Sequence, residues 1–506
     1  MAIKSKKKSI KQAINTENAT DHDDYISLLF GSEGIVAPFL CIAVFGLLVR
    51  LAVSLHSYSG AGNPPKFGDY EAQRHWMEIT TNLPAKEWYR NSTSNDLAYW
   101  GLDYPPLTAY QSYVHGLLLR YFDPDSVALF TSRGYESYLG KLLMRWTVLS
   151  SDALIFFPAV LYFVLAYYGS RPSGRKSDVI WHIALILINP CLILIDHGHF
   201  QYNCISLGFT LAAIAAILSR KDLVASVFFS LALNHKQMSA YFAPAFFSYL
   251  LGNCLWQKNP VLEVLKLGFV VIGTFALIWW PYLHSTDGVL GVLSRLAPFE
   301  RGLYEDYVAN FWCTTSVIIK WKRLFTTQWL KLLSLGLTIL SCLPSMIQQI
   351  MAPSSKVHEK SILLPLLPAT LLASELPCLF YVLMHYALFS MFPLLCRDNL
   401  IVPYFALHAL FILLYLAPCG RRLLRPHFSA VDIAPLSLTT LLYLCSIVLH
   451  IVYFTSHPPK KYPFLFEAMI MSLCFSHFVF LALYTNTKQW MLSKQLTSRD
   501  KEKKLS

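Results

Sequence analysis

Apolar runs long enough to cross a bilayer recur from one end of this chain to the other, and no other feature limits its fold as strongly. A helix needs about 20 residues to cross the hydrocarbon core. Within lipid, every backbone polar group must find its partner inside the structure. The runs therefore predict an all-α polytopic membrane protein. Spans are expected near 34–54, 143–168, 179–196, 202–219, 222–235, 237–256, 265–283, 329–351, 361–374, 376–395, 400–418, 434–456 and 463–485. Only 14% of the 506 residues are charged, against roughly 25% in a soluble domain. The 11 Cys residues form no CxxC pair. Cys41, Cys191, Cys342, Cys445 and Cys474 lie inside apolar runs. They read as small buried hydrophobes rather than as metal ligands or disulfides.

The first span follows a basic, polar stretch, MAIKSKKKSIKQ, which is not the layout of a cleaved signal peptide. Residues 1–33 are expected to form a cytosolic tail. The net charge of +12 would suggest a nucleic-acid partner in a soluble protein. Here Lys and Arg gather in short loops and at both tails, as the positive-inside rule requires. Alternation then puts Arg171, Arg175, Lys176, Arg220, Lys221 and Lys258 on the cytosolic side, and the long loop at 55–142 on the luminal side. That loop carries the sequon Asn91-Ser92-Thr93, which has meaning only there. At the other end, KEKKLS sets Lys503 and Lys504 in the pattern of a dilysine retrieval signal of endoplasmic reticulum membrane proteins. The expected organisation is a tail at 1–33, the first helix with its luminal loop at 34–142, a multi-span domain at 143–485, and a cytosolic tail at 486–506. Two cytosolic tails require an even number of spans, and thirteen are read. Either Tyr307 to Ile319 also crosses, or a helix is missing.

Polar residues beside the spans cluster on the luminal side. The first loop has Asp69, Glu71, Arg74, His75 and Glu78, then Asp103 before two prolines. Later turns bring Asp196, His197, His199, Gln201 and Asn203, then His235, Lys236 and Gln237. After these come Glu300, Arg301, Glu305 and Asp306, and finally His358, Glu359 and Lys360. Ionisable groups at a membrane surface are costly unless paired or used. Pairing accounts for any one of them, but less well for a one-sided crowd. The pattern points to a luminal active site at the membrane boundary. No phosphate-binding P-loop, dinucleotide fingerprint or serine nucleophile elbow is present. Asp196, His197 and His199 suggest a metal site less than hydrogen-bonding roles. Carboxylates among aromatics suit a sugar, and cations suit a lipid phosphate.

At these residues the sequence resembles a known family. The strings YSGAGNPPKFGDYEAQRHWMEIT, WGLDYPPLTAY, LIDHGHFQYN, PFERGLYEDYVANFWC and VHEKSILLPLLP, in that order between residues 58 and 368, are similar to those of the endoplasmic reticulum glucosyltransferases that use dolichyl phosphate glucose. These enzymes belong to the GT-C superfamily. EAQRHWMEIT with DHGHFQYN resembles the members that add the first glucose to the nine-mannose lipid-linked oligosaccharide, more than the sister group that adds the second. The resemblance implies the GT-C fold with a helical first luminal loop. It also implies inverting transfer from a β-linked glucosyl phosphate to an α-1,3 glucoside, with no metal or cofactor beyond the lipid donor. A direct displacement needs one base for the attacking hydroxyl. It does not need the carboxylate pair of a glycosidase, and cations must meet the departing phosphate.

Asp69 matches the family's catalytic aspartate and is the expected base, with Glu71 and Asp103 as alternatives. His358 and Lys360 are expected at the phosphate, with Arg301 and Arg74 next. His197, His199, Gln201 and Lys236 are expected to shape the cleft. Family members carry a further apolar stretch before VHEK, where this chain has only Met351 to Lys356. That stretch would be the helix that parity demands. Two other classes compete: a lipid-linked sugar transporter, which would place its charges near mid-membrane, and a non-catalytic subunit. The partners expected are the lipid-linked donor and acceptor.

Overall fold

The computed structural model describes residues 34–169, 175–296, 311–316, 319–351, 370–371, 373, 377–416 and 433–505. Among these it is built from helices, with no strand. The helix α1 (Val36–Ser54) leads into the loop, which folds into α2 (Gly68–Asn82) and α3 (Pro106–Phe122). Then follow α4 (Tyr138–Gly169), α5 (Lys176–Phe200), α6 (Asn203–Leu218), α7 (Asp222–His235), α8 (Ala243–Leu255), α9 (Pro260–Tyr282) and α10 (Thr286–Leu296). The chain continues through α11 (Thr327–Met351), α12 (Pro377–Arg397), α13 (Ile401–Tyr415), α14 (Ile433–Thr455) and α15 (Leu465–Leu505). Among the described residues, seven helices are long and apolar enough to cross a membrane: α1, α4, α5, α9, α11, residues Leu379–Arg397 of α12, and residues Leu465–Thr487 of α15. Four shorter apolar stretches, α6, α7, α13 and Thr440–Thr455 of α14, accompany them.

The expected spans correspond to these helices with their ends moved by a few residues. The span expected at 237–256 is a 3₁₀ turn at Gln237–Phe242 followed by α8. Apart from residues 370, 371 and 373, the span expected at 361–374 lies outside the described residues, as does the junction before VHEK. Within Tyr307 to Ile319, the described helix is only Phe311–Thr315.

Two features position the site. The first is the luminal loop, whose helices α2 and α3 pack on each other while α3 also rests on α7. A second small core, with Trp76, Ile79, Trp88, Tyr89, Leu102 and Tyr282, holds it together. The start of α3 follows from Pro105 and Pro106, since proline at the first helical position loses no hydrogen bond. The start of α2 depends on two glycines. Gly60 and Gly68 both have positive φ, +76° and +67°. A Cβ on Gly68 would lie 2.5 Å from the Ser59 carbonyl oxygen, and one on Gly60 would lie 2.2 Å from the Phe67 carbonyl carbon. The two strands of chain cross with no room for a side chain, and Asp69 enters the helix directly after that crossing.

The second feature is the end of α5. After Ile188 the helix restarts at Pro190, capped by the Asn189 side chain, which accepts from the Cys191 and Leu192 amides at 3.1 and 3.2 Å. Leu194–Phe200 then widens into a π-turn. Such turns alter the aim of successive side chains and recur at functional sites.

Candidate active site

The Asp69 carboxylate is where the two features meet. Its Oδ2 faces His199 Nε2 at 3.1 Å and accepts from Gln201 Nε2 at 2.6 Å. The Asp69 amide donates to Ser59 Oγ at 3.3 Å, and the Ser59 amide donates to the His199 carbonyl at 3.0 Å. Backbone and side chains thus tie the loop to the π-turn. Beyond Gln201, Lys236 Nζ donates to Gln201 Oε1 at 3.1 Å and to Asn203 Oδ1 at 2.6 Å, and lies 5.0 Å from the centre of the Tyr104 ring. Burial pushes the Asp69 carboxyl pKa up. The hydrogen bonds from His199 and Gln201 and the charges of His199 and Lys236 outweigh this and hold it below the ordinary carboxylate value. Asp69 is therefore ionised at neutral pH and still partly exposed, with 38% of its side chain accessible.

These groups line one part of a cavity of about 480 Å³. Asp69, Tyr104, His199, Gln201, Asn203 and Lys236 form its polar wall. Phe156 of α4, Ile186, Leu192 and Ile195 of α5, Leu207 of α6, and Met391 and Leu394 of α12 form its apolar wall. All of the latter belong to helices of the membrane domain. Polar and apolar walls on one cavity suit a ligand with a charged or hydroxylated head and a hydrocarbon tail.

The other residues expected at the site fall in three places. Glu71 and Arg74 lie in the loop interior, about 1% exposed, and not on the cavity. Arg74 donates to Glu71 Oε1 and Oε2 at 2.7 Å each, to Glu78 Oε2 at 2.8 Å, and to Ser132 Oγ at 2.6 Å. Tyr99 and the Gly134 amide complete the shell of Glu71. These charges are engaged by the protein itself, away from the cavity where the sequence pattern expected them. His197 is likewise turned away: its Nε2 meets Asp152 Oδ2 at 2.6 Å, and Asp152 also accepts from Arg50 Nε at 2.6 Å, all fully buried. Asp103 sits beside Tyr104, and its carbonyl accepts from Gln237 at 3.3 Å. Arg301, His358 and Lys360 lie outside the described residues. Asp196 caps α6, accepting from Asn203 Nδ2 at 2.8 Å and the Cys204 amide at 2.7 Å. Among the described residues, no group of three or more His, Cys, Asp or Glu side chains is arranged to hold a metal ion.

Four residues that the sequence reading passed over shape the site. Arg50 and Asp152 anchor His197. Arg145 donates to the carbonyls of His197 at 2.5 Å, Gly198 at 3.1 Å and Ser57 at 3.1 Å, clamping the π-turn to the start of the loop. Asp398 meets His199 Nδ1 at 2.5 Å. The first three had a signal: each is a lone charge inside an apolar run, which is costly unless used. Asp398 had none, because it lies 199 residues from its partner in a short turn.

The chain is similar to known proteins along most of its length. Residues 46–484 match the family described as the ALG6, ALG8 glycosyltransferase family. A protein of Arabidopsis thaliana, named a probable dolichyl pyrophosphate Man9GlcNAc2 alpha-1,3-glucosyltransferase, is 62% identical over 93% of this chain and 93% of its own. The Gallus gallus dolichyl pyrophosphate Man9GlcNAc2 alpha-1,3-glucosyltransferase is 40% identical over 88% of this chain and 94% of its own. The one from Saccharomyces cerevisiae is 42% identical over 72% of each.

Proposed function

Because this chain belongs to the ALG6, ALG8 glycosyltransferase family, we propose that it is the inverting enzyme that places the first glucose, in α-1,3 linkage, on the nine-mannose dolichyl-pyrophosphate oligosaccharide. The donor is dolichyl phosphate glucose, and the enzyme resides in the endoplasmic reticulum membrane. One observation carries this reading: an ionised carboxylate, Asp69, stands at the polar wall of a cavity whose other wall is made of membrane helices. The isoprenoid tail lies along the apolar wall and the glucosyl phosphate reaches the polar one.

The attacking oxygen is an acceptor mannose hydroxyl. It forms a bond to the glucose anomeric carbon as the bond from that carbon to the phosphate oxygen breaks. The hydroxyl proton passes to Asp69, and the electron pair leaves with dolichyl phosphate. A phosphate monoester leaves without needing a proton, so a single carboxylate is enough. Lys236 supplies positive charge beside the reacting head, and Arg301, His358 and Lys360 are the further cations proposed for the phosphate. No metal is assigned a role.

The loop is proposed to face the lumen, with both tails cytosolic. Asn91 of the sequon is exposed, so the luminal orientation predicts a glycan there. The test is a mobility shift on endoglycosidase treatment, absent in Asn91→Gln; a chain that never carries the glycan counts against this orientation. The catalytic reading is tested with purified protein, dolichyl phosphate glucose and the nine-mannose acceptor. Asp69→Asn is expected to lower turnover by about 100-fold or more, the scale of a lost general base. Near-normal transfer would move the base elsewhere.

A further inference from the structure

We propose that Asp398 is a positioning residue of the transfer reaction, holding His199 as a hydrogen-bond donor in two directions, toward Asp398 and toward Asp69. Asp398 directly follows α12. Its amide donates to the Leu394 carbonyl at 3.1 Å, and the turn closes through Asn399, at φ +59°, with the Leu400 amide on the Leu395 carbonyl at 2.8 Å. The side chain is 2% exposed and does not line the cavity. Its Oδ2 is 2.5 Å from His199 Nδ1, while His199 Nε2 is 3.1 Å from Asp69 Oδ2.

The imidazole therefore stands between two carboxylates. A neutral imidazole carries one N–H, so one of the two carboxylates would face a lone pair. With both carboxylates ionised, both contacts are hydrogen bonds only when the ring carries two protons, and both are then charge-assisted. Other groups around the ring do not replace Asp398. On the Asp69 side are Gln201 and, through it, Lys236. On the Asp398 side, Arg397 Nε is 3.7 Å from Oδ1, with a side chain 54% exposed. Within the π-turn, Asp196 is directed at Asn203 and Cys204, His197 at Asp152 and Arg50, and Arg145 at backbone carbonyls. Asp398 is thus the second carboxylate on the ring, and its charge keeps the second proton there.

The consequence lies in the chemistry. When Asp69 takes the acceptor proton it becomes neutral, and the His199–Asp398 pair stays a neutral ion pair that keeps Asp69 in place. Of that pair, the imidazolium end is the one that lines the cavity. Without Asp398, only Asp69 is left to hold the second proton against the burial of the ring, and the ring is expected to lose that proton at the working pH.

The inference rests on Asp69 as base, and its test separates the two. In Asp398→Asn, turnover with saturating donor and acceptor is expected to fall about 10-fold at pH 8, less than the loss of the base itself. KM for both substrates should stay within about twofold, since Asp398 touches neither wall of the cavity. As pH falls to 6, His199 regains its proton and the variant should approach the parent rate. Asp398→Glu should recover most of the loss at pH 8. The parent enzyme should show no step between pH 6 and 8. An equal loss at both pH values, full activity at pH 8, or a step between pH 6 and 8 in the parent would overturn the role of Asp398. If Asp398→Asn does not fold, the parent profile still decides. Retained transfer by Asp69→Asn would instead overturn the base assignment.

Discussion

One helix, α2, carries two kinds of charge. Glu71, Arg74, His75 and Glu78 lie on one face and disappear into the loop interior, each bonded to another part of the loop or to one another. Asp69 lies off that face and looks into the cavity, held by residues from a turn 130 positions away. By residue type the two groups are alike. They differ in whether the loop itself supplies the partners of the carboxylates. A closed network determines whether the loop folds, whereas an open one leaves capacity for a substrate.

The sharpest way to break this contrast is Arg74→Ala. It leaves Glu71 and Glu78 buried without their cation, and removing one partner of a buried ion pair costs roughly 3–5 kcal/mol. The protein should lose its cooperative melt or melt far lower, and activity should go with it. Arg74→Lys should not restore it, because a lysine cannot reproduce the forked contacts to both carboxylates. An Arg74→Ala enzyme with normal melting and no transfer would mean that this network touches substrate after all.

Asp69→Asn should do the opposite. Its turnover loss of about 100-fold should come with a melting temperature close to the parent, since Asn keeps an acceptor for Gln201 and the site is partly exposed. Lys236→Met should fall between the two. It keeps the apolar stem against Tyr104 and removes the charge from Gln201 and Asn203. Turnover should drop by about 10-fold, below the 100-fold or more of a dedicated oxyanion donor, because other cations share the phosphate. A loss confined to KM would make Lys236 a binding group only.

Much of this was legible in the sequence. Apolar length gave the spans and the all-α class, and the loop string pointed to Asp69 through its resemblance. The division within α2 was also available: positions 71, 74, 75 and 78 follow the i, i+3, i+4, i+7 spacing of a single helical face, and Asp69 falls outside it. Treating the string as one patch of chemistry missed that. Arg50, Asp152 and Arg145 were visible as lone charges in apolar runs, but what they hold was not, because their partners come from other helices. Asp398 was not legible at all. Its importance exists only once α12 closes on the end of α5, and a carboxylate in a three-residue turn between spans looks like any other.

The mildest lever on the comparison is acid. Burial pushes the Glu78 carboxyl up, but hydrogen bonding to His75 and the charges of Arg74 and His75 more than offset this and bring it to about 2. In the unfolded chain a glutamate titrates near about 4.3. A pKa depressed in the fold means that the native state binds fewer protons than the unfolded one between these values. The stabilisation is therefore fully present above about 4.3 and is lost as pH falls toward 2. Melting temperature in detergent should be level from pH 7 to about 5 and then decline. Glu78→Gln lowers the plateau and flattens the acid slope, because the group that takes up the proton is gone. If the slope stays unchanged in Glu78→Gln, the acid sensitivity belongs to other carboxylates. Asp69 is then the first to test, since its pKa is also held low but by partners that face the cavity.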